Sequence, residues 1–275
     1  MPNDSASPVL SPARLLEVAV AAARTAGTHA LTHLARRMDV AQGFAHDVKL
    51  KLDMECQAIA EQTILAQFPD HTLLGEETAD NGEPAAPSSP YLWIIDPIDG
   101  TVNFSHGLPF WCCSVAVRHH GTTLAGAVFA PALGELYTAA AGQPAECNGR
   151  PLHVSSVPIL SQALVMTGLD QKAQPKMERL ELFRAIAEAT QKTRVMGVAA
   201  LDMCRVAAGQ ADGYFEAAIY TWDIAAAALI VENAGGRAEA LGNPAPHRLL
   251  FLATNGHVHG ELKSLILRHL AAERM

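Results

Sequence analysis

Apolar residues recur along this chain with two periods, and the alternation between them lays out its elements. From Pro12 to about Arg37, Leu15, Val18, Ala22, Leu31 and Leu34 fall mostly at helical spacing, which predicts a long amphipathic helix. Ser11 is placed to cap it, and Pro12 suits its first turn. Asp47-Val48-Lys49-Leu50-Lys51-Leu52-Asp53 alternates strictly. That is a short strand with its lysines on one side. Asp53 then opens a second helix running to about Phe68, where an acid suits the positive end of the helix dipole. Pro69-Asp70-His71 reads as a turn and residues 80–90 as a polar, proline-rich loop. Residues 110–117 and 122–130 read as strands joined at His119-His120-Gly121, and Asn148-Gly149 is a hairpin signal. Further on come helices over 176–190 and 199–209, a strand at Tyr214-Phe215, and a helix over 222–234 closed by Gly235-Gly236. A last helix covers 258–272.

The expected organisation is a leader over 1–10, an α+β half over 11–148 and an α/β half over 149–275. With 49% hydrophobic and only 17% charged residues, the chain can bury a real core and does not read as disordered. The formal net charge of −8 argues against direct nucleic-acid binding, so an anionic substrate would need cations to bring it in. Five cysteines without a CxxC pair read as free thiols in a reducing compartment. The N-terminus lacks the pattern of a signal peptide, and the longest apolar run, Ile224 to Val231, is too short for a bilayer. A cytoplasmic protein without a membrane partner is the expectation.

Chemistry concentrates in Trp93-Ile94-Ile95-Asp96-Pro97-Ile98-Asp99-Gly100-Thr101. Pro97 disfavours helix at Asp96, so the chain is expected to leave a strand in a turn that aims both carboxylates at one point. Two carboxylates about 4 Å apart repel by about 4 kcal/mol at an effective dielectric near 20. Such closeness needs a proton or a cation, and oxygen-only ligands favour Mg²⁺, Mn²⁺ or Ca²⁺ over zinc. The plainer alternative is a turn whose aspartates cap backbone amides. Gly100-Thr101 can place free amides at a helix start, a phosphate cradle. Glu76-Glu77 follows Gly75 and a short apolar run; Glu76 reads equally as a solvated loop acid. Trp222-Asp223 opens an apolar helix, where Asp223 reads equally as an N-cap.

Glu76-Glu77 after a glycine, Asp96-Pro97-Ile98-Asp99-Gly100-Thr101, and Trp222-Asp223 with Gly235-Gly236 beyond it together resemble the inositol monophosphatase family. The resemblance spans roughly residues 11–270. It implies a layered αβαβα sandwich and Mg²⁺-dependent hydrolysis of a small phosphate monoester, with two or three Mg²⁺ per site and Mn²⁺ as a substitute. It also implies inhibition by lithium and a homodimer. By the same resemblance, Glu76, Asp96 and the Ile98 carbonyl hold one metal, and Asp96, Asp99 and Asp223 a second. The amides of Gly100 and Thr101, beside Asp99, bind phosphate. Asp53 pairs with the Thr101 hydroxyl to orient the attacking water, with Glu76 close by. Ala199 touches the alcohol, and Glu216, with Asp223, faces its hydroxyls. Glu216 reads equally as an exposed acid after a strand.

Inositol 1-phosphate leads as substrate, followed by histidinol phosphate, whose amine an acid at 216 would also suit. Other sugar and nucleotide phosphates of the family's range remain alternatives, with fructose 1,6-bisphosphate and the nucleotide bisphosphates ranked lower because no arginine cluster that would read a second phosphate is visible. Lys49-Leu50 stands where the family usually has a Val-Thr pair, with Lys51 following, and Val102 replaces a usual threonine. Lys49 or Lys51 at the mouth of the site would attract anions; a solvated strand face is the alternative. A reading of a different class is a non-catalytic accessory factor of RNA polymerase on the same scaffold. Retention of every expected ligand speaks against it.

Overall fold

The computed structural model describes residues 10–44, 47–79, 89–168, 176–245 and 247–272. The first helix, α1 (Pro12–Thr32), is capped by the Ser11 hydroxyl, which accepts from the Arg14 amide. A hairpin of β1 (Val40–Phe44) and β2 (Asp47–Leu50) leads into α2 (Lys51–Leu65). After β3 (Thr72–Gly75) and the single turn α3 (Glu76–Ala79) come β4 (Tyr91–Asp99) and the short α4 (Thr101–Ser105). Then follow β5 (Cys112–His119), β6 (Thr122–Ala130), β7 (Glu135–Ala140), β8 (Glu146–Cys147) and β9 (Arg150–Pro151). Strands β3 to β9 form one seven-stranded sheet in sequence order, parallel only between β3 and β4.

The later part of the chain builds a second sheet. Its elements are β10 (Leu164–Thr167), α5 (Lys176–Ala189), β11 (Lys192–Arg194), α6 (Ala199–Ala207), β12 (Gly213–Tyr220), α7 (Thr221–Asn233), β13 (Arg237–Ala245), β14 (Arg248–Thr254) and α8 (His259–Ala272). The five strands lie in the order β11-β10-β12-β14-β13.

Packing stacks these parts into five layers. α1 and α2 cover one face of the first sheet, α6 and α7 lie between the sheets, and α5 and α8 cover the far face of the second. This is the αβαβα sandwich. It explains why β4 reads as a continuous apolar run: Trp93 and Ile95 face α1 and α2, while Ile94 faces the middle layer. It also explains α7, which is apolar around its whole circumference because both sides are covered. Gly126 of β6 lets α7 come that close. A Cβ there would stand 2.8 Å from the Cα of Ala226. Truncating Ile230 in this layer would cost about 2–5 kcal/mol.

Several expectations shift here. The alternation over 47–53 ends at Leu50: Lys51 is the first residue of α2 and points to solvent, so the two lysines do not share a strand face. The Lys49 side chain lies outside the described residues, as do 1–9 and 80–88. The helix predicted to Arg37 stops at Thr32 and gives way to a 3₁₀ turn over Leu34–Arg36. Both predicted hairpin turns are present, with His120 (φ 47°) and Gly121 (φ 83°) in one and Asn148 (φ 51°) and Gly149 (φ 74°) in the other. Positive φ at both central residues matches the twist of paired strands.

Candidate active site

Asp96 and Asp99 do not leave their strand in a turn. β4 runs through both of them, and the irregularity lies inside it. Asp96 stands opposite Ser114 and Asp99 opposite Cys112, so three residue steps on β4 face two on β5. Pro97 has no N–H to give to the ladder, which makes this the natural place for a bulge. The bulge matters for geometry. In a regular strand, residues three apart point to opposite faces. One extra residue restores the phase and returns Asp99 to the side of Asp96. Ligand oxygens of Asp96, Asp99 and Asp223 all lie within 4.8 Å of one another.

Gly100 then turns the chain with φ at 89°, in the left-handed region that glycine tolerates. A side chain here would also meet the Val198 methyl, 2.6 Å from the position of a Cβ. α4 starts at Thr101 as expected, and the Thr101 hydroxyl donates to the Ile98 carbonyl at 2.9 Å. Asp53, buried at N3 of α2, accepts from the Leu50 amide at 2.7 Å. β2 packs against α4, bringing the Asp53 and Thr101 segments together.

Two acids do double duty at helix starts. Asp223 sits at N3 of α7 and accepts from the Tyr220 amide at 2.9 Å, so its N-terminal capping role and its place in the cluster are both real. Asp99 reaches across the molecule: its Oδ2 accepts from the Ala200 amide at 2.7 Å, capping the first turn of α6. That bond fixes Ala199, the first residue of α6, beside the carboxylates. Glu76 opens α3, and its charge bears on Asp96, Asp99 and Asp223 alike.

Among the described residues, the charges that bear most on this cluster are those of acids. Burial first, then the neighbouring acids, pushes Asp96 and Asp223 well above the ordinary carboxylate range. Burial likewise lifts Asp99 to about 7, against the pull of the Ala200 amide. Asp96 Oδ1 is buried with no hydrogen-bond partner among the described residues. A buried anionic oxygen in that state costs several kcal/mol unless a cation or a proton meets it. Hard oxygen donors in this number fit a divalent cation.

Sequence reasoning missed three neighbours. Asp202, in the first turn of α6, is almost fully buried and is raised to about 9 by burial and by the charges of Asp99 and Glu216. Tyr214 and Gly168 flank Glu216, which lies inside β12 and not beyond its end. The alternation Tyr214-Phe215-Glu216 carried the signal for Tyr214, because residues two apart share a face.

A layered sandwich with three converging carboxylates suits a metal-dependent hydrolase, and its relatives make that class the phosphoric monoester hydrolases. Residues 11–274 match the inositol monophosphatase family, and the chain belongs to it. It is 35% identical to the inositol-1-monophosphatase of Synechocystis sp., over 94% of this chain and 92% of that one. It is 38% identical to the Nus factor SuhB of Pseudomonas aeruginosa, over 81% and 83%. The solved inositol monophosphatase of Anabaena superposes with a TM-score of 0.79 at 32% identity, covering 93% of this chain and 96% of that one. No helix among the described residues is long and apolar enough to cross a membrane.

Proposed function

We propose that the protein hydrolyses the phosphate ester of a small polyol in a Mg²⁺-dependent reaction, with inositol 1-phosphate as its leading substrate. The observation that supports this most directly is the convergence of Asp96, Asp99 and Asp223 within 4.8 Å, with Glu76 bearing on all three. In this reading Glu76, Asp96 and the Ile98 carbonyl hold one ion, and Asp96, Asp99 and Asp223 another. The Ile98 carbonyl already accepts from Thr101 but has a second lone pair to give. Bound there, Mg²⁺ supplies positive charge against the carboxylates and the ester and makes water a better nucleophile. Mn²⁺ fits the same oxygen ligands.

The chain's own residues do the rest. The amides of Gly100 and Thr101 receive phosphate oxygens at the start of α4. Thr101 and Asp53 orient the attacking water, which requires the Thr101 hydroxyl to turn from the Ile98 carbonyl. Ala199 and Glu216 face the alcohol, Ala199 by contact and Glu216 by accepting from a hydroxyl. An amine would satisfy Glu216 as well, so histidinol phosphate is the second candidate. Five free thiols, four of them buried, suit a reducing cytoplasm. A homodimer is the expected assembly, to be measured by light scattering.

Several relatives carry the name Nus factor SuhB, and a non-catalytic accessory role on the same scaffold is the rival reading. One experiment addresses both readings. The purified protein is assayed with inositol 1-phosphate, histidinol phosphate, fructose 1,6-bisphosphate and 3′-phosphoadenosine 5′-phosphate, with Mg²⁺ and with EDTA. Mg²⁺-dependent turnover led by inositol 1-phosphate is expected. Turnover of none of the four overturns the enzymatic reading in favour of the rival.

A further inference from the structure

Glu216 does not sit loosely at the edge of the cleft. The Tyr214 hydroxyl donates to its Oε2 at 2.6 Å, and Tyr214 is fully buried. Behind the carboxylate lies Gly168, just past the end of β10. A Cβ at Gly168 would stand 2.2 Å from Oε1 and 2.3 Å from both Cδ and Oε2. All three atoms of the carboxylate head are nearly equidistant from that point, so the group lies face-on against the glycine. The backbone beneath is tied together: β10 and β12 pair in parallel with Thr167 opposite Phe215, and the Thr167 hydroxyl donates to the Phe215 carbonyl at 2.5 Å. Beyond Glu216 the ladder slips, with three steps on β12 facing two on β14 before Ile219. A bulge of this kind re-aims the strand next to a site.

We infer that Tyr214 and Gly168 form a preset seat for Glu216, making it a rigid acceptor that selects esters whose alcohol carries a hydroxyl or amine near the phosphate. This rests on the reading of Glu216 as the residue that faces the alcohol. Tyr214 and Gly168 are positioning residues. Tyr214 holds one oxygen by a hydrogen bond, and Gly168 leaves the space that the carboxylate occupies. A side chain free to rotate would lose entropy when it met its substrate; a seated one has little left to lose. The seat therefore acts on binding of the alcohol and has no part in cleaving the phosphate.

The test compares two substrates, inositol 1-phosphate and phenyl phosphate, the second lacking any hydroxyl to read. The readout is the ratio of their kcat/KM values, which cancels general damage to the site. Tyr214→Phe keeps the buried ring and removes only the donor. It is expected to lower the ratio about tenfold, the scale of one hydrogen bond to a charged group, with the change in KM for inositol 1-phosphate. Gly168→Ala, a second and independent variant, is expected to lower it at least as much by displacing the carboxylate. Glu216→Gln supplies the reference, and adding Tyr214→Phe to it is expected to lower the ratio no further. If Glu216→Gln lowers the ratio while Tyr214→Phe and Gly168→Ala leave it as it was, the seat is wrong and the reading of Glu216 stands. If Glu216→Gln leaves the ratio unchanged, both fall. A drop in kcat for both substrates alike in Tyr214→Phe also overturns the seat.

Discussion

Two groups of acids in this fold are handled in opposite ways. Glu239 of β13 accepts from the Lys263 ammonium at 2.5 Å and faces the His259 ring nitrogen at 2.9 Å. Those partners, Lys263 foremost, hold its carboxyl down at about 2. Glu55 of α2 is likewise held at about 2 by the Arg36 guanidinium and by His29. Between the sheets the arrangement is reversed: the main charged neighbours of Asp96, Asp99 and Asp223 are other acids. Acids that stabilise a fold come with their cations built in. Buried acids whose charged neighbours among the described residues are mainly other acids could hold a cation from solution.

The largest break in this contrast comes from Asp96→Asn. If the cluster holds the catalytic ion, kcat/KM is expected to fall about 10³-fold or more, several kcal/mol of lost transition-state stabilisation. Steady-state kinetics at saturating Mg²⁺ measures it, and near-normal turnover would contradict the assignment. Next in size is the effect of the ion on stability. Mg²⁺ at 100 times its dissociation constant is expected to add about 2.7 kcal/mol, seen as a rise in melting temperature in calorimetry. Asp96→Asn should lose most of that rise, while Glu239→Gln should keep it.

A smaller effect concerns Asp202. Its folded-state value of about 9 lies above the ordinary 3.8, so the folded protein holds a proton that the unfolded chain has released between those limits. Its contribution to stability is therefore full only below pH 3.8 and declines as pH rises towards 9. Asp202→Asn is expected to melt higher than the parent at pH 8, by about 2–4 °C for each kcal/mol, with the gap closing towards pH 4. A gap independent of pH would show that burial of the carboxylate is not the cause. Glu239 should show the opposite sign. Its lowered value gives stability present above about pH 4.5 and lost as pH falls towards 2. Because the group is partly exposed and screened, Glu239→Gln should cost only about 1 kcal/mol at pH 7.

How much of this was readable beforehand follows from the range of the interactions. α1, the hairpins at His120 and Asn148, and the end of α7 at Gly235 rest on contacts within a few residues, and local pattern found them. The family motifs pointed to Asp96, Asp99 and Asp223, which do meet in space. From sequence alone the bulge at Pro97 reads as a turn, because only the register of β5 distinguishes the two. Lys51 reads as part of a strand because alternation over seven residues outweighs the start of α2, which tertiary packing decides. Asp202 is charged only in name at neutral pH, and nothing in its neighbours along the chain shows its burial. Gly168 was invisible because its role is to leave room for a residue 48 positions away.

The bond from Ala200 to Asp99 joins residues 101 positions apart. A chain made at roughly 5–20 residues per second brings Ala200 out about 5–20 s after Asp99. For that interval β4 can pair with β5, but the acid that caps α6 has nothing to cap. The finished carboxylate cluster is thus a late event in the protein's synthesis, set by the clock of translation. Asp223 and strands β12 to β14 emerge later still, so Asp99 waits for both its partners across the fold.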